Sequence, residues 1–296
     1  MDGVLLIDKP SGPTSHDVVA RLRGTSRERS IGHTGTLDPR ATGLLPLVCG
    51  RATRLASLLS GEDKVYEATI RLGWATDTDD ADGQPVSGPS GQLPDDETIH
   101  DAATAFRGTF DQLPPTHSAK RLGGHKAYDL ARHAAPVELR PVPVTVHHID
   151  ITGRERDLLH VRVTASAGFY VRALARDLGS RLGCGAHLLA LRRTRSGAFD
   201  VANALPLGEA ERLGPAVADR AIPPAAALPH LPSVQLTALG LKRAVHGNAL
   251  GPEHLEGRWI PPHGSGGPVR VLGPDGRLVA LAHSRGGALH PAVVLG

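Results

Sequence analysis

Two runs that alternate apolar and polar residues, VPVTVHHIDI at 142–151 and LLHVRVTAS at 158–166, stand almost back to back with no helical pattern between them. Period-two alternation marks half-buried strands, so the two read as a strand pair. A chain carrying such a pair is not a strict repeat of strand, helix, strand. The other segments agree. GVLLI near the start reads as a short buried strand stopped by DKPSGP, and TSHDVVARLRG opens a helix with a capping-box pattern, Thr14 with Asp17 three residues on. ATRLASLLSG has helical spacing and a glycine stop, KVYEATIRLG alternates like a strand, ETIHDAATAFRGTF returns to a helix, and FYVRALARDLGSRLG is a helix closed by Gly183. Strand runs and helices mix without strict alternation, which makes the fold class α+β rather than doubly wound.

At 296 residues the chain is expected to form a large domain and a small one. The Pro- and Ala-rich stretch at 214–232 reads as the boundary, dividing residues 1–228 from 233–296. Beyond it, PVRVLGPDGRLVALAHS suggests a hairpin around Pro-Asp-Gly in a β-rich unit. Within the larger part, residues 114–136 are basic, broken by glycines and short of core residues. They fit either a mobile insertion that closes on a ligand or a plain surface hairpin.

Several familiar chemistries are excluded. DTDDADG at 77–83 looks like a calcium loop, but with Gly83 at its sixth position Pro89 falls where a bidentate Glu is needed. An acidic turn fits better. None of the 16 histidines forms HExxH, and His147 and His148 are expected on opposite faces of a strand, so no metal is expected. Ser15, His16 and Asp17 carry the letters of a hydrolase triad on adjacent helix positions that do not face each other, which leaves them capping and surface roles. Neither GxxxxGKS nor GxGxxG occurs, so no nucleotide cofactor is expected. Cys49 and Cys184 lie far apart, as buried thiols in a reducing cytoplasm would, and the first residues form neither a signal peptide nor a membrane span.

What remains is charge and one carboxylate. Lys and Arg exceed Asp and Glu by only 33 to 30, yet from Gly168 to Arg195 six arginines meet a single aspartate, with Phe169 and Tyr170 at the start of the run. Such a run suits phosphates and unstacked bases, or else a solvated helix face followed by a basic strand. In GHTGTLDPRATGLLPL, residues 32–47, Asp38 precedes Pro39 in a loop between Gly35 and Gly43, where it either points into a cleft or braces a turn.

This stretch resembles the catalytic motif of the TruB family of tRNA pseudouridine synthases, whose essential aspartate lies in TLDP, here Asp38. GVLLIDKPSGPTSHDVV resembles the family's opening motif, with Lys9 and Pro10 as its Lys-Pro pair. KVYEATIRLG with TDTDDADG resembles the next motif, and GFYVRALARDLGSRLGCGAHLLALRRTRSG the last. The four occur in order over about the first two hundred residues, a span that fits one catalytic domain. The resemblance implies a mixed, mostly antiparallel sheet flanked by helices, followed by a small PUA-like RNA-binding domain at 233–296. It implies that Asp38 is catalytic, that Arg172 is its partner, and that Tyr66 stacks on a flipped base. His33, Tyr170, Leu191 and Lys9 would complete the substrate pocket. Two of the chain's three tyrosines fall on these positions. THSAKRLGGHKAYDLAR is similar to the family's thumb loop, with His117 where a tyrosine is usual and Arg121 where a lysine is usual. Arg54, Lys120, Arg121, Lys126, Arg192 and Arg193 would contact phosphates.

Pseudouridine formation breaks the N1–C1′ bond of uridine, turns the uracil and rejoins it through C5, with no redox change, so no cofactor is implied. The enzyme would supply a carboxylate, a dry pocket and positioning. The family acts on the T-loop uridine at tRNA position 55, and extruding that base costs roughly a few kcal/mol, part of which Tyr66 would offset. Tyr66 is also a candidate acid or base for the C5 proton. The step that Asp38 performs stays open: attack on the sugar, addition to the uracil, or removal of the C2′ proton. The implied protein is a cytoplasmic monomer that binds the tRNA T-arm, with no membrane and no obligate protein partner. Two alternatives are a related synthase aimed at another RNA or needing a guide, and an RNA-binding chaperone that pries the T-loop open.

Overall fold

In the computed structural model, which describes residues 1–86, 88–116, 121–122, 125–126, 140–257 and 267–296, the alternating runs become strands of one sheet. In chain order they are β1 (Gly3–Lys9), β2 (Ile31–His33), β3 (Thr42–Cys49), β4 (Lys64–Leu72), β5 (Gly108–Gln112), the two-residue pair β6 (Arg121–Leu122) and β7 (His125–Lys126), β8 (Val142–Glu155), β9 (Leu158–Ala165), β10 (Ala186–Ser196), β11 (Phe199–Asp200) and β12 (Leu205–Pro206). Ten strands form a sheet of order β12-β1-β3-β10-β4-β9-β8-β5, with β2 beside β3 and β11 beside β10. The β1–β12 and β3–β10 pairs are parallel, and the remaining pairs are antiparallel.

Six α-helices join the described strands: α1 (Ser15–Ser26), α2 (Ala56–Ser60), α3 (Asp96–Thr104), α4 (Val171–Arg181), α5 (Leu207–Leu213) and α6 (Ala238–Ala244). Helix α1 has the expected capping box between Thr14 and Asp17. Its Val18, Val19 and Leu22 pack with Leu207 and Ala210 of α5 onto Leu5, Ile7, Leu45 and Leu47. At the other end of the same sheet face, Ile99 of α3 and Leu174 and Leu178 of α4 pack onto Tyr66, Ala68, Ile70, Val161 and Val163. Leu191 of β10 touches both clusters and so marks the seam between them.

The opposite face of β1 and β3 is covered by the C-terminal unit, whose strands β13 (Ser233–Gln235), β14 (Val269–Leu272), β15 (Leu278–Arg285) and β16 (Ala288–Val294) form a separate four-stranded sheet in that order. The expected hairpin around Pro-Asp-Gly is the turn between β14 and β15, with Gly276 at φ 76°. Val4, Leu6, Leu44 and Val48 share a core with Leu278, Leu281 and Leu295. Arg51 Nη1 donates to the Leu295 carbonyl at 3.2 Å, and Arg54 donates to that of Val294. Among the described residues no helix is long and apolar enough to cross a membrane.

Three local expectations need correction. The helix expected over 97–110 ends at Thr104, because Gly108, at φ 102°, turns the chain and Phe110 joins edge strand β5. ATRLASLLSG is only partly α-helical, its first residues belonging to the 3-10 turn Gly50–Leu55. His147 and His148 do not alternate: the β8–β9 register shifts between Val146 and His148, the buried positions move from Val146 to Ile149, and both imidazoles are exposed.

Candidate active site

The loop between β2 and β3 crosses the seam, and its backbone is held from four sides. The hydroxyl of Ser15, a buried residue on α1, donates to the Leu37 carbonyl at 3.0 Å and accepts from the Leu37 N–H at 2.8 Å. Lys9 Nζ donates to the Pro39 and Pro10 carbonyls, both at 2.9 Å. Gly12 N donates to the Pro39 carbonyl at 2.9 Å, and Arg193 Nη2 donates to that of Gly35 at 3.0 Å. Asp38 therefore projects from a backbone with little freedom to move.

Its side chain meets Arg172, the second residue of α4. Arg172 Nε lies 3.0 Å from Asp38 Oδ2, and Nη2 donates to Oδ1 at 3.3 Å. The remaining nitrogen, Nη1, is 3.4 Å from Asp80 Oδ2 and donates to the Thr78 carbonyl at 3.3 Å. The guanidinium side chain is 7% exposed, the aspartate 43%, so one face of the pair is open. Desolvation pushes the Asp38 pKa up; Arg172 pulls it down, Asp80 adds to the rise, and Lys9 opposes it. The net direction is upward, which makes Asp38 a stronger proton acceptor than an ordinary carboxylate.

The acidic turn at 77–83 is thus the second wall of the site. Asp80 accepts from the Thr78 hydroxyl at 2.6 Å and the Asp82 N–H at 3.0 Å. Asp79, at φ 62°, pairs with Arg176 of α4 at 3.0 Å. Burial raises the Asp79 carboxyl pKa despite Arg176 and Arg172 beside it. Arg176 also donates to Asp177 at 2.8 Å and to the Leu113 carbonyl at 2.9 Å. The start of α4 is fixed by Gln112, 1% exposed, which accepts from Tyr170 N at 2.9 Å and donates to the Tyr170 carbonyl at 3.1 Å.

Tyr66 points from β4 to the same face and is 9% exposed, so a base would meet only a small part of its ring as the pocket stands. His33 ends β2, where its Nδ1 accepts from Gly35 N at 3.4 Å. Lys9 and Lys64 are buried, and desolvation lowers the pKa of each to about 8.

Among the described side chains, the arginines expected to contact phosphates, Arg54, Arg192 and Arg193, are not gathered. Arg193 is 1% exposed, with Nε donating to the Leu44 carbonyl at 2.7 Å and Nη2 to that of Gly35. It is closed to a phosphate because its position on β10, opposite Tyr66, faces the core. Its neighbour Arg192 points the other way and holds Asp8 with two nitrogens, at 3.0 and 2.8 Å. That far face carries a groove of about 840 Å³ lined by Arg40, Glu67, His160, Arg162, Leu191 and Arg192 among others, and by none of Asp38, Arg172 and Tyr66. Arg54 is exposed beside the C-terminal strand. Lys120 and His117 lie outside the described residues, as do the side chains of Arg121 and Lys126.

Sequence reasoning missed Ser15, Gln112, Asp79, Asp80 and the inward role of Arg193. A signal existed for Arg193, since alternation along LRRTRS must turn one of two adjacent arginines toward the core.

Three family models match the chain: TruB family pseudouridylate synthase (N-terminal domain) over residues 23–171, tRNA pseudouridylate synthase B C-terminal domain over 172–213, and tRNA pseudouridine synthase II, C-terminal, over 232–296. The tRNA pseudouridine synthase B of Thermobifida fusca is 44% identical over 99% of this chain and 98% of that protein. Its counterpart in Geobacter sulfurreducens is 42% identical over 97% and 95%. Among solved structures, a Cbf5–Nop10–Gar1 complex aligns with TM-score 0.75 and 27% identity over 100% of this chain and 85% of that one. An H/ACA RNP bound to a substrate RNA containing 2′-deoxyuridine aligns with TM-score 0.74 and 26% identity over 99% and 85%.

Proposed function

The chain belongs to the TruB family of pseudouridylate synthases, isomerases that convert tRNA uridine to pseudouridine, and from that premise we propose that it acts on the T-loop uridine at position 55, with Asp38 as the catalytic carboxylate. The observation that carries this reading is the two-nitrogen grip of Arg172 on Asp38, with one side of the carboxylate left open at the seam of the sheet. A base turned out of its stack would enter there. Uracil's own C5 is the carbon nucleophile, so the protein's task is to hold a charged carboxylate in a partly dry site and keep the ring close to it. Arg172 favours the charged form that burial disfavours, and Lys9 adds a second positive charge behind the loop.

In the same proposal Tyr66 stacks on the base, His33 supports the opened RNA, and Tyr170 and Leu191 line the pocket. Arg54 and Arg192, both partly exposed, remain candidates for phosphate contacts together with the basic segment around Lys120, Arg121 and Lys126. The T-arm is the partner, the chain works as a cytoplasmic monomer without a guide, and residues 1–228 and 233–296 act as catalytic and RNA-binding units.

Tritium release from 5-tritiated uridine in an unmodified tRNA transcript, with metal chelated and nothing added, tests the reading. About one equivalent per tRNA from the wild type and none from Asp38→Asn is expected. Release by Asp38→Asn at the wild-type rate would refute the role of the aspartate. The likeness to chains in Cbf5 assemblies favours a second, guide-dependent reading. It requires the purified chain alone to bind tRNA yet release nothing.

A further inference from the structure

Arg193 is a buried cation that the proposed reaction has not used. Its guanidinium donates to the Leu44 carbonyl on β3 and the Gly35 carbonyl of the Asp38 loop, and Arg193 stands directly opposite the buried Tyr66 in the β10–β4 register. Two hydrogen bonds and one cross-strand neighbour thus reach three pieces of the site. Among the described residues no carboxylate pairs with it: desolvation opposes the charge, and Tyr66 is the group that supports it. Lys64, also buried, sits close enough for the two cations to repel, and it donates to the Ser60 carbonyl at 2.6 Å and to that of Glu62. A guanidinium desolvated without a counter-ion is costly, and a fold that needed only volume there would be served by an apolar side chain.

We propose that Arg193 is the positioning residue of the active site, setting the Tyr66 hydroxyl and the Asp38 loop in one fixed relation by donating to both. The planar fork suits this task, because its donors leave in fixed directions and one residue can define the angle between two acceptors. A hydrogen bond from the guanidinium to the Tyr66 oxygen also directs the hydroxyl's own proton away from Arg193, and any negative charge that develops on that oxygen faces an uncompensated cation. Arg193 touches neither substrate nor reacting atom in this role. The inference rests on the reading of Asp38 and Tyr66 as parts of the pocket.

The test compares Arg193→Met, which fills similar volume without charge, and Arg193→Lys, which keeps the charge but loses the fork. Each is assayed by single-turnover tritium release, by tRNA binding across a salt series, and by thermal melting. Loss of relative placement lowers the rate of bound tRNA about 10- to 100-fold in Arg193→Met, with a smaller loss in Arg193→Lys, unchanged tRNA affinity and an unchanged salt slope. In a Tyr66→Phe background the further loss on adding Arg193→Met is smaller than in the wild type, because the Tyr66 contact is already gone and only the hold on the Asp38 loop remains to be lost. Wild-type rates in both variants overturn the proposal, as do losses that multiply in full with Tyr66→Phe. A salt slope reduced by about one phosphate contact restores the phosphate role instead. Failure of both variants to melt cooperatively makes Arg193 a folding residue and also overturns the proposal. Absence of release by the wild type refutes the underlying reading, whatever the variants do.

Discussion

Replacing Ser15 by alanine removes one oxygen that makes two hydrogen bonds to a single peptide unit. The hydroxyl donates to the Leu37 carbonyl at 3.0 Å and accepts from the Leu37 N–H at 2.8 Å, and the residue is 2% exposed, so water has no access to replace it. A buried donor or acceptor left without a partner costs about 1–3 kcal/mol, and Ser15→Ala orphans one of each. The variant should therefore be less stable by about 2–4 kcal/mol, since one small void adds little and the loop relaxes partway. Urea unfolding followed by circular dichroism would show the loss as a lower midpoint at unchanged slope. Because Leu37 directly precedes Asp38, the freed loop should also lower tritium release from bound tRNA by about tenfold while leaving tRNA affinity within about twofold. A stability loss below about 0.5 kcal/mol, or a wild-type release rate in a variant that has lost stability, would refute the claim that this hydroxyl holds the aspartate loop.

Arg172→Lys keeps a positive charge but cannot grip Asp38 through two nitrogens while reaching Asp80 with a third, so release should fall about 100-fold or more with cooperative melting retained; activity near wild type would show that charge alone suffices. Gly43 sits at φ 96° with the Arg193 backbone against it, the nitrogen 2.9 Å from where a Cβ would stand. Gly43→Ala should thus cost roughly 3 kcal/mol or more in the same urea assay, and a cost under about 1 kcal/mol would contradict this packing. Alkaline stability follows from the buried amines. Lys9 and Lys64, lowered to about 8 from 10.5, leave the unfolded chain holding more protons and make stability rise with pH, whereas the Met1 amine, raised by Glu28, and Cys49, raised from 9.0 to about 12, oppose the rise from about pH 8 and 9 respectively. Melting curves should show a gain between about pH 8 and 9 that levels off above 9, and a steady decline from pH 8 would refute the depressed lysines.

Much of the fold was legible because its signals are local. Period-two runs gave β4, β8 and β9, the Thr14–Asp17 pair gave the start of α1, and Pro-Asp-Gly gave the turn between β14 and β15. Failures occurred where one residue resets a pattern. Gly108 stops a helix that the apolar spacing of AATAF would have carried on, and the bulge at His147 puts two neighbouring imidazoles on the exposed side. The site divides in the same way. Asp38 stood out through its motif, but Ser15 is joined to Leu37 across 22 residues and Gln112 to Tyr170 across 58, and no local window contains either contact.

The arginines between Gly168 and Arg195 show why a basic run alone is a poor guide to where nucleic acid lies. Arg172 is taken by Asp38 and Asp80, Arg176 by Asp79 and Asp177, Arg192 by Asp8, and Arg193 by two carbonyls. Apart from Asp177, which lies within the run, their acidic partners come from the loop before β3, the turn at 77–83 and β1, far away in sequence, so a count of charges within the run sees an excess that the fold has partly neutralised. The run's buried members, Arg172 and Arg193, with Arg176 beside them, frame the site at the seam between two helix clusters, whereas Arg181 and Arg195 are exposed and Arg192 is half-buried. A steep salt dependence of tRNA binding would then be set chiefly by lysines and arginines elsewhere. Removing charges around residues 120–126 should flatten it by about one contact each, whereas Arg193→Met should leave it unchanged.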